Sequence, residues 1–529
     1  MTLNEAEVKQ TRKETVYARR LTVSYFQVDT LERDALQVVC LVRSLRNSFA
    51  PVNRTPPEVL SLIPDYWEDS DREKALIKLT HVCRGWRDIF ISHPSLWTRL
   101  DCTNVSKTRV YIERSKSSPL EIYLEEDDFL HDAFLLTVPH LGRLGSLTIS
   151  GSSDCLLQLT GYFGSSAPFL ENLKLTSTCT SHPIIEDAIF DGNLPSLRKF
   201  HLSGAIVDMA WKNLSNLTTF DFRHVPSNEV SLTQLLNLFD CAPLLRNIQL
   251  WDAFPNSSDA PPEHIISLVC LESLTIIAQP AHSVLLNHLI IPTGVLLHQE
   301  FDLSSLESPI PSYLPETLEN LNNISHITSI SLSFKSGAFL RLKGPTGGLY
   351  MYGSWVSEAI YPPIVGCWVL HSLTLFDILR TERLAITYCK TSSLGFAKHP
   401  VYETFFFMSN LQTLTLTNCF NLPFILALNP KQTPSRTVTC PELEEIFLYV
   451  EEKDWFCFSE LLEMARERAS RGAKLSVITI VSPQELLPAK EVFKLRAHVS
   501  YVEYRLDDTM PGWDTLPDDA DDTSYASDW

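Results

Sequence analysis

The chain has 529 residues, of which 44% are hydrophobic and 20% charged, and 63 acids against 44 bases leave a net charge of −19. Such a length calls for several domains or one extended array, and the balance is that of a folded globular protein. The acidity argues against nucleic acid or an anionic membrane as main partner, and without a long apolar run or an apolar leader neither a membrane span nor a secretory signal is expected.

Residues 1–50 read as an N-terminal helical or flexible segment. Leu31, Ala35, Val38, Val39, Val42 and Leu45 recur at helical spacing, a stripe expected to pack on the module that follows. Residues 51–101 read as a compact set of short helices. Thr55, Pro56 and Glu58 suit a capped start, with a hydroxyl at N-cap, proline at the first helical position and an acid at N3. Val59, Leu60 and Ile63 share one face before Pro64, and Ser70-Asp71-Arg72-Glu73 opens a second helix. Leu76, Leu79, Val82, Cys83, Trp86, Ile89 and Phe90 then make one continuous apolar stripe. For any one of these residues, core of a helical domain is the plain reading.

Taken in order, Pro56-Pro57-Glu58-Val59-Leu60, Val82-Cys83-Arg84-Gly85-Trp86-Arg87 and Leu96-Trp97 resemble an F-box. The family usually has leucine before the proline pair, where this chain has Thr55. The resemblance implies docking on the Skp adaptor, and through it on a cullin ubiquitin ligase of the SCF type. It assigns that contact to Pro57, Glu58, Val59, Leu60, Ile63, Leu79, Val82, Cys83, Trp86 and Trp97. Physically this requires a small helical module with an apolar face that it cannot bury alone.

Residues 102–135 read as a connector in which Leu120-Glu121-Ile122-Tyr123-Leu124 alternates as a capping strand. Residues 136–505 repeat. The pattern L-x-x-L-x-L, with other apolar residues at some of its positions, starts at Leu144, Leu170, Leu197, Leu217, Leu245 and Leu271, at spacings of 26, 27, 20, 28 and 26 residues. Copies at Ile327, Leu370, Leu411, Leu443 and Leu475 lie further apart, with insertions expected over 281–324 and 344–353. A period of about 20–29 residues is that of leucine-rich repeats, whose units bury their leucines only by stacking. Ala205, Val225, Ala253 and Cys419 suit the inner turn after the strand. Leu411–Leu422, reading L-x-x-L-x-L-x-x-C-x-x-L, resembles the cysteine-containing repeat found with F-boxes.

The expected fold class is α/β: a small all-α F-box module followed by a curved leucine-rich-repeat solenoid. Leu173, Phe200, Phe220, Ile248, Leu274, Leu414 and Ile446 are expected to lie buried on strands side by side. Ser459–Arg471 reads as a helix closed by Gly472. Residues 506–529 read as an acidic disordered tail, with eight aspartates from Asp507 onward and no base.

No catalytic constellation is present. The 15 histidines make no H-x-x-x-H, the 12 cysteines make no C-x-x-C, and Gly344, Gly347 and Gly348 lack the lysine of a phosphate loop. The cysteines are expected as reduced, mostly buried thiols in cytoplasm or nucleus. The chain therefore reads as a non-catalytic receptor without a cofactor. Target recognition is expected on the outward-facing strand positions, with Lys174, Lys199 and Arg223 stacked into a basic patch beside His201, suited to an acidic or phosphorylated segment. Trp251, Phe376, Phe447 and Tyr449 fall at equivalent positions and would anchor an interface. A leucine-rich-repeat scaffold outside any ubiquitin ligase remains the alternative from another class.

Overall fold

The computed structural model describes residues 5–67, 69–125, 130–179, 182–185, 189–207, 214–225, 231–252, 264–277, 283–302, 315, 318–334, 337–354, 373–387, 398–433 and 436–507. The chain divides into two compact units, one holding Met1–Tyr123 and Asp128–Gly145, the other Leu124–Asp127 and Ser146–Trp529. The expected inner-turn residue Ala253 and the tail from residue 508 lie outside the described residues.

The first unit begins with one long helix, α1 (Glu5–Ser48). Its stripe does not pack on the following module as expected: Leu31, Ala35, Val38, Val39, Val42 and Leu45 are all exposed. The turn Pro51–Arg54 then leads into α2 (Pro57–Leu60). The N-cap of α2 is Pro56 and not Thr55, which instead closes the preceding turn. The proline ring sets that entry at φ −53° and ψ 141°, so Pro57 takes the first helical position. Three longer helices follow, α3 (Asp69–Thr80), α4 (Arg84–Ser92) and α5 (Val105–Ser115), and α3 packs on α4. Asn104 caps α5 by accepting from the Lys107 backbone N–H at 3.0 Å. Two short parallel strands, β1 (Arg99–Leu100) and β2 (Leu120–Glu125), pair Leu100 with Ile122.

Leu60, Leu76, Leu79, Trp86, Phe90, Leu96, Trp97, Leu100 and Tyr111 form this unit's core around the helices. Trp97 holds its centre: its ring meets Tyr111 edge-on at 5.0 Å, lies 4.3 Å from the Arg114 guanidinium, and donates its Nε1–H to the Phe90 carbonyl at 2.8 Å.

The second unit is built on one large, mainly parallel sheet. Its strands are β3 (Leu144–Gly151), β4 (Asn172–Ser177), β5 (Lys199–Ser203), β6 (Thr219–Arg223), β7 (Asn247–Trp251), β8 (Ser273–Ile277) and β9 (Leu296–Asp302). They continue with β10 (Ser329–Ser333), β11 (Gly337–Lys343), β12 (Gly348–Ser354), β13 (Arg383–Thr387) and β14 (Thr413–Thr417). The last three are β15 (Glu445–Tyr449), β16 (Val477–Ser482) and β17 (Tyr501–Leu506). Strands β3 to β9 pair in chain order and in parallel, as do β13 to β17. Between these runs the spatial order is β9–β12–β11–β10–β13, with β11 antiparallel to both of its neighbours.

The register explains the sequence pattern. Leu147, Leu173, Phe200, Phe220, Ile248, Leu274 and Leu297 face one another in one buried row, and Leu384, Leu414, Ile446, Ile478 and Val502 make the corresponding row of the later run. Alternate side chains face the other way because the strand period is two. At the end of a strand the chain turns sharply: Gly204, His224, Asp252 and Asn418 have φ of 66°, 50°, 45° and 50°. A Cβ at Gly204 would stand 3.1 Å from the Ser177 carbonyl oxygen, so that corner accepts only glycine comfortably. Ala205, Val225 and Cys419 follow these turns and are buried.

One copy of the repeat lies elsewhere than the spacing indicated. Leu370 falls outside the described residues, and Leu373 and Leu375 belong to a turn, with Leu375 exposed. The strand is Arg383–Thr387, where Leu384 and Ile386 face inward behind a buried Thr381. A threonine in the first position hides this copy from a search for leucine. The stretch 344–353, expected as an insertion, supplies the turn and second arm of the β11–β12 hairpin. Phe458–Ser470 is the expected C-terminal helix, and Gly472 follows with φ 83°. Among the described residues no helix is long and apolar enough to cross a membrane.

Candidate functional site

Two surfaces carry the residues singled out from the sequence. On the helical module, the ten expected contact residues fall into two groups. Leu60, Leu79, Trp86 and Trp97 are buried, Leu60 and Trp97 to 2% exposure, so they build the module and do not present a surface. The partner contact expected of these four is thus not matched by exposure of their side chains. The physical reason is size: in a module of short helices, large apolar side chains are the means of closing the core. Trp86 also donates its Nε1–H to the Asn53 side-chain oxygen at 2.5 Å, which ties α4 to the turn before α2.

Pro57, Glu58, Val59 and Val82 are exposed, and Ile63 and Cys83 are half-buried. The structure adds neighbours that the sequence reading passed over. Leu62, Tyr66, Trp67 and Ile77 are exposed apolar side chains, Tyr66 to 88%. Val59, Leu62 and Tyr66 recur at intervals of three and four, a stripe separate from that of Leu60 and Ile63 and legible in principle. The turn Ile63–Tyr66 packs on α3, and Arg72 of α3 reaches Asp65 of that turn at 2.7 Å. Arg87 donates to the Thr80 carbonyl at 3.0 Å and so fixes the α3–α4 junction that displays Val82.

Beneath this surface Lys107 joins two helices and the loop before α5, contacting Glu73 and Asp101 at 2.6 Å each. Burial pushes the Asp101 carboxyl up, but hydrogen bonds from Lys107 and Thr103 outweigh it and hold the group below its usual value. Burial likewise disfavours the Lys107 charge, yet the two carboxylates raise its pKa above normal. Burial pushes the Cys102 thiol, fully enclosed in the packing, up to about 12.

On the sheet, the outward-facing positions do not gather the three bases as expected. The register sets Lys174 opposite His201, Lys199 opposite Asn172 and Thr219, and Arg223 opposite Ser203 and Trp251. The three cations thus occupy three different rows. Arg223 is also neutralised, with Nε 2.8 Å from Asp221 Oδ1, Nη2 3.1 Å from Gln249 Oε1, and its guanidinium 4.4 Å from the Trp251 ring centre. His201 Nδ1 lies 2.7 Å from Asp221 Oδ2. Burial raises the Asp221 pKa, but bonds from His201 and Arg223 overcome this and leave it low. Asp221 was in view in the sequence as the residue between Phe220 and Phe222; its neutralising role was not. What results is a self-satisfied polar network with an aromatic floor, in place of a basic patch.

The aromatic anchors separate as well. Trp251 and Phe447 are partly exposed, whereas Tyr449 is 2% and Phe376 6% exposed. Tyr449 is opposite a buried Thr417 and Val481, so this end of the outward face is covered. Phe376 lies in the turn after Leu373, off the strands. Among the described residues no three His, Cys, Asp or Glu side chains converge as a metal site.

The family model described as F-box-like matches residues 53–103. That span covers the helical module from the Asn53 anchor of Trp86 through the Lys107 partner Asp101, and it supports an F-box protein. F-box domains typically bind Skp-type adaptors in cullin ligases. No curated protein matches the chain.

Proposed function

We propose that this chain is the non-catalytic substrate-recognition subunit of an SCF-type ubiquitin ligase, working without a cofactor in cytoplasm or nucleus. The module at 53–103 docks on the Skp adaptor through Pro57, Val59, Leu62, Tyr66, Trp67, Ile77 and Val82, and the sheet is a leucine-rich-repeat solenoid that holds a target protein. The carrying observation is the set of exposed apolar side chains on α2, the turn after it, α3 and the α3–α4 junction, within the span matched as F-box-like. Such a face costs free energy in water until a partner covers it. The cullin and its ring-finger partner supply the chemistry, and this chain supplies proximity between target lysines and a charged conjugating enzyme.

Thr55 favours a second reading, a leucine-rich-repeat scaffold outside any ligase. It is a half-buried polar residue where the family has an apolar contact. One experiment separates the two. The full chain, co-expressed with the Skp adaptor, is expected to copurify with it, and Val59→Asp/Val82→Asp is expected to lose it by roughly thirtyfold or more. Failure of the wild-type chain to retain any Skp paralogue of its own cell rejects the ligase.

A further inference from the structure

The longest helix of the molecule presents apolar side chains to solvent along its C-terminal half. Val28, Leu31, Val38, Val42 and Leu45 are exposed, Leu31 to 67% and Leu45 to 62%, as is Phe49 just past the helix end. With Ala35, also exposed, these residues alternate at steps of three and four without interruption: 28, 31, 35, 38, 42, 45, 49. A period of 3.5 residues held over three heptads is the seam of two helices wound in a left-handed supercoil.

We infer that α1 is a dimerisation element, pairing with α1 of a second copy as a parallel two-stranded coiled coil. The residue types select this occupant. Val28, Ala35 and Val42 hold the a positions, and Leu31, Val38 and Leu45 the d positions. Valine at a with leucine at d, present in the first and third of these heptads, is the combination that favours two parallel strands. The flanks agree. In a parallel pair the g and following e′ positions bring together Gln27 with Glu32, Asp34 with Val39, and Leu41 with Arg46, and no two like charges meet. Val39 and Leu41, both exposed, widen the seam on each side. A self-complementary seam closes a twofold dimer and leaves no open face for further addition.

The dimer doubles the number of receptor surfaces carried by one assembly, so a target with two recognition segments binds with an effective concentration set by the span between copies. This holds whether or not the module at 53–103 engages a Skp adaptor.

Sedimentation of the purified full chain tests it directly. At about 10 μM the wild type is expected at twice its monomer mass of 59.9 kDa. Leu31→Glu/Leu45→Glu should dissociate it, with the dimer constant weakened at least a hundredfold, while Leu36→Glu, on the side away from the seam, should leave it intact. The thermal transition of the double variant shows that the fold is retained. In a Cys40→Ser background, Leu31→Cys and Leu45→Cys, made separately, should each form a disulfide mapped to that position in both copies on mild oxidation, since an antiparallel pair can bring at most one of the two against its own copy and the exposed Cys179 and Cys241 are told apart by the mapping. A monomeric wild type would assign the stripe to another protein and overturn the inference. A dimer that survives the double substitution, or one in which residue 31 or residue 45 fails to cross-link to itself, overturns it equally.

Discussion

In the helical module the side chains that make the pattern recognisable, Trp86, Trp97 and Leu60, are interior, and the outward face is left to Val59, Leu62, Tyr66, Trp67, Ile77 and Val82. In the sheet the recognisable residues are also interior, but what lies outward is a polar network that satisfies itself, Asp221 taking both His201 and Arg223. One surface is apolar and the other, around Asp221, is polar and internally bonded. A short helical set closes its core with a few large groups and has apolar area left over; a long ladder distributes burial over many medium-sized groups and can dress its other side in polar ones. A partner that covered the module would bury apolar area, whereas one that met the sheet at Asp221 would have to compete with bonds already made.

The sharpest break in this contrast is a charge placed in the ladder. Leu414 is buried between Leu384 and Ile446 in adjoining strands. Leu414→Asp is expected to cost more than about 4 kcal/mol, enough to remove a cooperative transition in urea. Next come paired substitutions in the module. Trp97→Ala should cost about 3–5 kcal/mol through its cavity, whereas Val82→Asp should change stability by no more than about 0.5 kcal/mol while weakening adaptor capture. Equal loss of stability in the two variants would erase the distinction between module core and module face.

The smallest effect concerns the Lys107 bridge. Asp101 has a lowered pKa, so its contribution is present above the ordinary value of 3.8 and is lost as pH falls through the folded value below it. Lys107 has a raised pKa, so its contribution is present below the ordinary 10.5 and is lost as pH rises through the folded value above it. Lys107→Met should therefore lower the urea midpoint between about pH 4 and pH 10, with the difference from wild type narrowing at both extremes. A pH-independent difference would mean that the lysine contributes only its hydrocarbon stem.

Much of the ladder was legible because burial at every second residue, repeated at a near-constant period, is a strong and redundant signal. Leu173, Phe200 and Ile446 follow directly from it. The copies that escaped have a polar residue in a structural position: Thr381 before β13, and Gln299 inside β9, each buried. The hairpin β11–β12 has the same inward alternation, Leu340 and Leu342 then Leu349 and Met351, but Gly337 and Thr346 stand where the pattern has its first leucine. For the surfaces, the resemblance assigns contact residues without telling core from face, so Leu60 and Trp86 stand beside Val59 and Val82 in one set, and in the four-residue turns around Leu62 and Tyr66 a spacing rule has too few residues to separate the two. The supposed basic patch failed on register: equivalence by repeat position was read across three rows, and Asp221 cancels one of the three charges.

The reversal of strand order at β10–β11–β12 also bears on how the sheet assembles and comes apart. Elsewhere each strand meets its neighbour only after a return segment has closed, so those joints are made between residues far apart in the chain. The meander spans Ser329 to Ser354 and closes through short-range pairings alone. Its loop-closure cost is lower than that of the parallel joints on either side, so it is expected to form before them and to re-form first after local opening.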